Sequence, residues 1–232
     1  MLLALLAGCH LALGLAEIKD NPLPALTPLQ QLGAENIASS PVTVRVSPTV
    51  DGDTLILVAA ISTTSQTLTY VLDDANNSWV RGLAGDFSST ATPARIELWY
   101  APAARPVSQL NIYYSDPRAT AFSFSEWDGI DPTSTLTAMH AEPYVGVPLD
   151  APTSGTLTVP EPSLVIGALA FGGKTTVAVE PGFTALDPFS ASTGNISVAA
   201  GFTVVDPSDV SMSWTLGAPM ITGSGIAALR VR

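Results

Sequence analysis

A single cysteine, Cys9, and two histidines, His10 and His140, stand among 232 residues. One thiol excludes an internal disulfide, and so few soft ligands argue against the usual zinc sets. Lysine is scarce as well: Lys19 and Lys174 are the only two among nine basic residues, set against 20 acidic ones. The resulting net charge of −11 repels phosphate backbones, so direct nucleic-acid binding is not expected. Charge of either sign makes up 12% of the chain and apolar residues 47%; disorder needs the opposite balance, so the bulk should fold. With so little charge, either Ser and Thr cover the surface or part of the apolar content ends in contacts with other subunits.

Turn residues, by contrast, are plentiful. The 18 Gly and 19 Pro are spread along the chain, as many turns between short strands require. The length suits one sandwich domain and buries a sizeable core without staples.

Residues 1–20 open with an apolar run, Met1 to Ala16, whose Leu, Ala and Met favour a helix. Glu17 and Lys19 then restore polarity, and Pro22 and Pro24 oppose continuation. Three roles compete for this segment. Leu6-Ala7-Gly8-Cys9 resembles a bacterial lipobox, in which the cysteine would be acylated, although no positive region precedes it and the apolar run before it is short. A membrane span would need about 20 apolar residues and basic flanks, and both are missing. A helix docked on a partner or sister subunit is the third reading. Residues 21–40 read as a polar, Pro-containing linker with a helical turn near Thr27–Leu32.

From residue 41 to residue 232 the apolar period is mostly two. Val42, Val44 and Val46 alternate with polar residues, as in a half-buried strand. Asp51-Gly52-Asp53 reads as a turn, and Leu55 to Ile61 as a core strand. Asp73 to Asn77 is rich in residues that tolerate left-handed backbone. Further strands are expected at Arg95–Tyr100, Val107–Tyr114, Ala119–Trp127, Gly155–Val159, Ser163–Phe171, Thr175–Val179, Asn195–Ala199, Ser211–Leu216 and Ile221–Val231. No long amphipathic helix interrupts them, which argues for an antiparallel sandwich or barrel. A faint internal symmetry is present. Asp53 to Ile61 resembles Pro162 to Phe171, and Gly182 to Pro188 resembles Gly201 to Pro207. The first pair reads as equivalent core strands of two sheets, the second as neighbouring hairpin arms.

Five segments in order carry a family resemblance: Gly52 to Ile61, Asp74-Ala75-Asn76-Asn77-Ser78-Trp79, Leu98-Trp99-Tyr100-Ala101-Pro102, Glu126-Trp127-Asp128-Gly129-Ile130, and Leu164 to Phe171. The set resembles a jelly-roll, concanavalin-like β-sandwich module found in phage structural proteins and secreted bacterial surface proteins. The resemblance implies an all-β antiparallel sandwich with display, attachment or coating as its role. It implies no shared catalytic residues.

Glu97 and Glu126, on neighbouring expected strands, could form a glycosidase-like carboxylate pair, although Glu is ordinary on an outward strand face. Asp73, Asp74, Asn76 and Asn77 offer oxygens for calcium, but without the pattern of an EF-hand loop; a turn explains them equally. His140 lacks a nucleophile elbow, and Gly223-Ser224-Gly225-Ile226-Ala227-Ala228 lacks the strand-to-helix setting of a dinucleotide fingerprint. Trp79, Trp99, Trp127 and Trp214 could face a sugar ligand or serve as core and rim residues. No catalytic, cofactor or metal residue is expected.

The function that follows as an expectation is a non-enzymatic bacteriophage virion structural protein. It would decorate the head or belong to the tail, as a homo-oligomer such as a trimer, contacting capsid or tail subunits and host surface glycans. The alternatives are a bacterial surface lipoprotein or adhesin anchored at Cys9, and a carbohydrate-binding module.

Overall fold

The computed structural model describes residues 23, 25–36, 39–62, 67–87, 94–115, 119–133, 135–142, 147–190 and 196–232. Among the described residues the strands are β1 (Gln30–Asn36), β2 (Val42–Arg45), β3 (Asp53–Ile61), β4 (Leu68–Asp73), β5 (Val80–Phe87), β6 (Ala94–Ala104), β7 (Gln109–Tyr114), β8 (Thr120–Trp127), β9 (Leu136–Glu142), β10 (Thr153–Val159), β11 (Ser163–Phe171), β12 (Val177–Val179), β13 (Thr184–Ser190), β14 (Ser197–Val205), β15 (Ser208–Leu216) and β16 (Thr222–Arg230). Neighbouring strands pair antiparallel throughout. The all-β, antiparallel, sandwich-like expectation therefore holds. The expected apolar helix over residues 1–20 lies outside the described residues.

Four sheets result, and they come in two matching pairs. The first half of the chain forms a five-stranded sheet, β1-β8-β3-β6-β5, and a three-stranded one, β2-β7-β4. Adding eight to each strand number gives β9-β16-β11-β14-β13 and β10-β15-β12, which are the two sheets of the second half. The chain thus folds twice in the same strand order. The span 41–232, expected as one sandwich, carries two such units, and the first begins before it, at Gln30.

Side-chain alternation explains the layering. In β3, Leu55, Leu57, Ala59 and Ile61 face the small sheet and pack with Val44, Leu110, Phe122 and Phe124. Ile56, Val58 and Ala60 point the other way, onto Leu164, Ile166, Ala168 and Ala170 of β11. The opposite face of β11 closes a third core with Met212, Trp214 and Leu216. Both central strands are buried along their whole length, which is why they read as unbroken apolar runs rather than alternating ones. The order of layers is small sheet, large sheet, large sheet, small sheet. Across the middle, β1 lies against β13, β8 against β14, β3 against β11, β6 against β16 and β5 against β9. This reciprocal pattern is that of a two-fold interface formed within one chain.

One sequence expectation needs correction. The linker over residues 21–40, with its helical turn near Thr27–Leu32, instead supplies β1, which pairs with β8 from Gln30↔Glu126 to Asn36↔Thr120. The strand was hidden because it carries little apolar pattern: Leu32 and Ala34 pack against the first core, while on the other face the ring of Phe189 fills the space where a side chain at Gly33 would stand. β3 and β11 each have nine residues, starting at Asp53 and Ser163, so the two central strands correspond with an offset of 163 − 53 = 110. The pair Ile61↔Thr120 then corresponds to Phe171↔Thr222, β8 and β16 being offset by 222 − 120 = 102. A slip of one exchanges the two faces of a strand; Leu55 belongs to the first unit's own core and Leu164 to the shared one. The likeness of Gly182–Pro188 to Gly201–Pro207 does reflect adjacent arms, since β13 and β14 pair antiparallel.

Candidate functional site

The four tryptophans do not form one platform. Trp127 is fully buried between the large sheets, its indole edge-on to Phe202 at 4.8 Å and its Nε1 donating to Ser125 Oγ at 2.8 Å. Trp214 is sealed in the second unit's core. Trp99 is buried in the first unit's core, where its Nε1 donates to Glu97 Oε2 at 2.8 Å. Trp79 alone is half-buried, and its Nε1 is held by Asp73 Oδ2 at 2.8 Å. Burial in separate cores is the reason that Trp99, Trp127 and Trp214 cannot face a ligand. Leu6 and Cys9, the candidate anchor, lie outside the described residues.

The Asp73–Asn77 loop uses its oxygens internally. Asp73 Oδ1 accepts from the backbone N–H groups of Ala75 and Asn77, both at 3.0 Å. Asp74 accepts from Ser108 N at 3.1 Å and Ser108 Oγ at 2.6 Å, and these bonds hold its carboxyl below the usual range. Asn77 exchanges two bonds with the Arg105 backbone, at 2.8 and 2.9 Å. Asn76 takes the left-handed conformation, φ 54°, that its residue type tolerates. The loop is thereby clamped onto the segment before β7. Among the described residues, no group of three or more His, Cys, Asp or Glu is placed to hold a metal ion.

Glu97 and Glu126 do not meet. They flank β3 at different levels, Glu97 opposite Ala59 and Glu126 opposite Leu55. Four residues along and two strands across separate their Cα atoms by roughly 17 Å. A glycosidase pair needs its carboxyls within about 5–9.5 Å. Each is also occupied. Glu97, fully buried, binds Arg95 Nε at 2.5 Å and the Trp99 indole.

Glu126 does have an acidic neighbour, which the sequence reading missed. Asp53, 4% exposed at the head of β3, lies beside Glu126, itself 2% exposed near the end of β8. Glu126 already accepts from Gln30 Nε2 and from Val50 N, both at 2.6 Å. Asp53 Oδ2 has no hydrogen-bond partner among the described residues. Burial, then a hydrogen bond to Glu126 and the charges of Glu126 and Asp128, push the Asp53 carboxyl up to about 6, against a smaller opposing pull from Arg232. Burial beside an acidic neighbour favours the neutral, protonated form of Asp53. Asp51-Gly52-Asp53 read as a plain turn. The available signal was an acid placed directly before an apolar run that is buried on both faces.

His140 sits on the edge strand β9, with Nε2 at 3.1 Å from Glu142 Oε2, over the backbone of Gly155. Ser154 Oγ, nearby in sequence to Gly155, accepts from Met212 N at 2.9 Å and so braces β15. Gly223 to Ala228 run inside β16 between β9 and β11, a purely structural setting. No helix among the described residues is long and apolar enough to cross a membrane. Comparison with protein-family models, with curated proteins and with solved structures finds no match to this chain.

Proposed function

We propose that the protein is a non-enzymatic structural component of a bacteriophage particle, decorating the head or belonging to the tail. The observation that carries this reading is the doubled strand order. We read β1-β8-β3-β6 facing β2-β7-β4 as a jelly roll in which β5 has left the small sheet for the large one. Jelly rolls recur in viral capsid and lectin domains. Two of them fused through their large sheets make a stiff block, with both small sheets turned outward. Such a block suits a spacer or clamp between neighbouring capsid or tail subunits, and closed rotational symmetry, a trimer for example, is the expected assembly. Asp73, Glu97 and Glu126 support the same reading, because each is tied into the framework by hydrogen bonds. The net charge of −11 keeps the block off packaged nucleic acid.

The test is addition of purified full-length protein to particles stripped of it. Saturable binding with a fixed number of copies per particle is expected. Absence of binding, or partition of native protein into detergent through an acylated Cys9, overturns the reading.

A further inference from the structure

The two units give an internal comparison. Their small sheets occupy equivalent places, and their outer faces differ. On β10-β15-β12 the outward cross-strand pair between the last two strands is Ala178↔Thr215, both exposed and small. On β2-β7-β4 the corresponding pair is Tyr70↔Tyr113, stacked at 4.3 Å between ring centroids with planes 27° apart. Tyr70 is 43% exposed and Leu72 42%. Since the same strand order stands without aromatics in the second unit, the fold does not require the tyrosines.

The rest of the face is polar and free of carboxylates. Next to the tyrosines lies a row of Thr43, Asn111 and Leu72, in which Thr43 Oγ1 donates to Asn111 Oδ1 at 2.8 Å. Arg45, exposed, closes the far end. Asp74, at the margin, is tied to Ser108. Three strands by about four residues cover roughly 10 by 14 Å, about 140 Å². A stable protein partner needs about 800 Å² per side, so this face is too small for a second copy, which would also bring a like net charge of −11. It matches about two or three sugar rings laid along the strands.

We propose that the outer face of β2-β7-β4 is a glycan-binding site. Sugar C–H faces stack on the Tyr70–Tyr113 pair, and sugar hydroxyls bond to Asn111 and Thr43. Arg45 accommodates an acidic substituent. The inference does not depend on the particle role, and its test needs no particle.

Full-length protein is probed on an array of neutral and acidic glycans, and the strongest binder is titrated calorimetrically. Tyr70→Ala and Tyr113→Ala should each weaken binding about tenfold. Tyr70→Phe should keep most of it, and Thr215→Ala on the counterpart face should change nothing. Circular dichroism and Tm establish that each variant is folded, as expected for surface rings. Three results overturn the proposal: silence across the array, binding that survives the double alanine variant, and tyrosine variants whose sole effect is to abolish self-association in ultracentrifugation.

Discussion

Replacing Asp53 by Asn should make the protein more stable at neutral and alkaline pH. The parent keeps a proton on Asp53 up to about pH 6, whereas the unfolded chain releases it near the ordinary value of 3.8. Below about pH 4 the group is protonated in both states and costs nothing. As pH rises from 4 to 6 the unfolded chain loses its proton and the folded chain does not, so stability falls. Above 6 the loss is complete. The shift of 6 − 3.8 = 2.2 units corresponds to about 3 kcal/mol at most, at about 1.4 kcal/mol per unit.

Asparagine presents an N–H to Glu126 at every pH and has no proton to lose. Glu126 keeps its bonds from Gln30 and Val50. Urea unfolding of parent and Asp53→Asn at pH 4.5, 6 and 8 separates this effect from the general repulsion of an acidic chain, which both proteins share. At pH 4.5 the variant should lead by only about 1 kcal/mol; by pH 8 it should lead by up to about 3 kcal/mol. Parallel pH profiles, or a variant weaker than the parent at pH 8, would show that burial beside Glu126 does not raise the Asp53 carboxyl.

Two other substitutions test the framework. Asp73→Ala removes the acceptor of the Ala75, Asn77 and Trp79 bonds and should cost about 1–3 kcal/mol in urea unfolding, with a shift in tryptophan emission as Trp79 comes loose. An unchanged midpoint would mean that the loop is held by Asn77 and Asp74 alone. Gly201→Ala places a methyl against Met212 and Val179 in the second unit's core and should cost about 1–3 kcal/mol, whereas Gly52→Ala, with open space but a φ of 89°, tests backbone strain alone.

What could be read from the sequence tracks how local each cause was. β3 and β11 were legible because a strand buried on both faces must be apolar throughout. β7 was legible because its burial alternates strictly. β1 was not, since Gly33 and Ala34 carry no apolar period and the strand exists through its pairing with β8 and the fit of Phe189. The repeat was visible in letters, but its register was not. Side-chain identity does not record which face of a doubly buried strand meets which core. The site was the least legible part. Glu97 and Glu126 were candidates by residue type, and Asp53, the acid that does meet Glu126, lay in a segment dismissed as a turn. The tyrosines passed unnoticed because an exposed aromatic and a buried one look alike in a string of letters.

The doubling also determines where this protein can act. A lone two-sheet unit offers both of its outer sheet faces to partners. Here the large sheets are consumed by each other: Ile56, Val58, Ile96, Leu98 and Trp127 of one unit are buried with Leu164, Ile166, Val198, Phe202 and Leu229 of the other. Neither unit could separate without exposing such a surface, so the halves should hold a fixed relative position and unfold together. Two small sheets and the connecting loops are left for recognition. Of the small sheets, the second displays Ala178 and Thr215, while the first displays Tyr70, Tyr113 and Leu72. A duplicated fold with one bland and one aromatic outer face has two chemically different ends, which is what the proposed glycan site on one side and the proposed particle contact on the other would require.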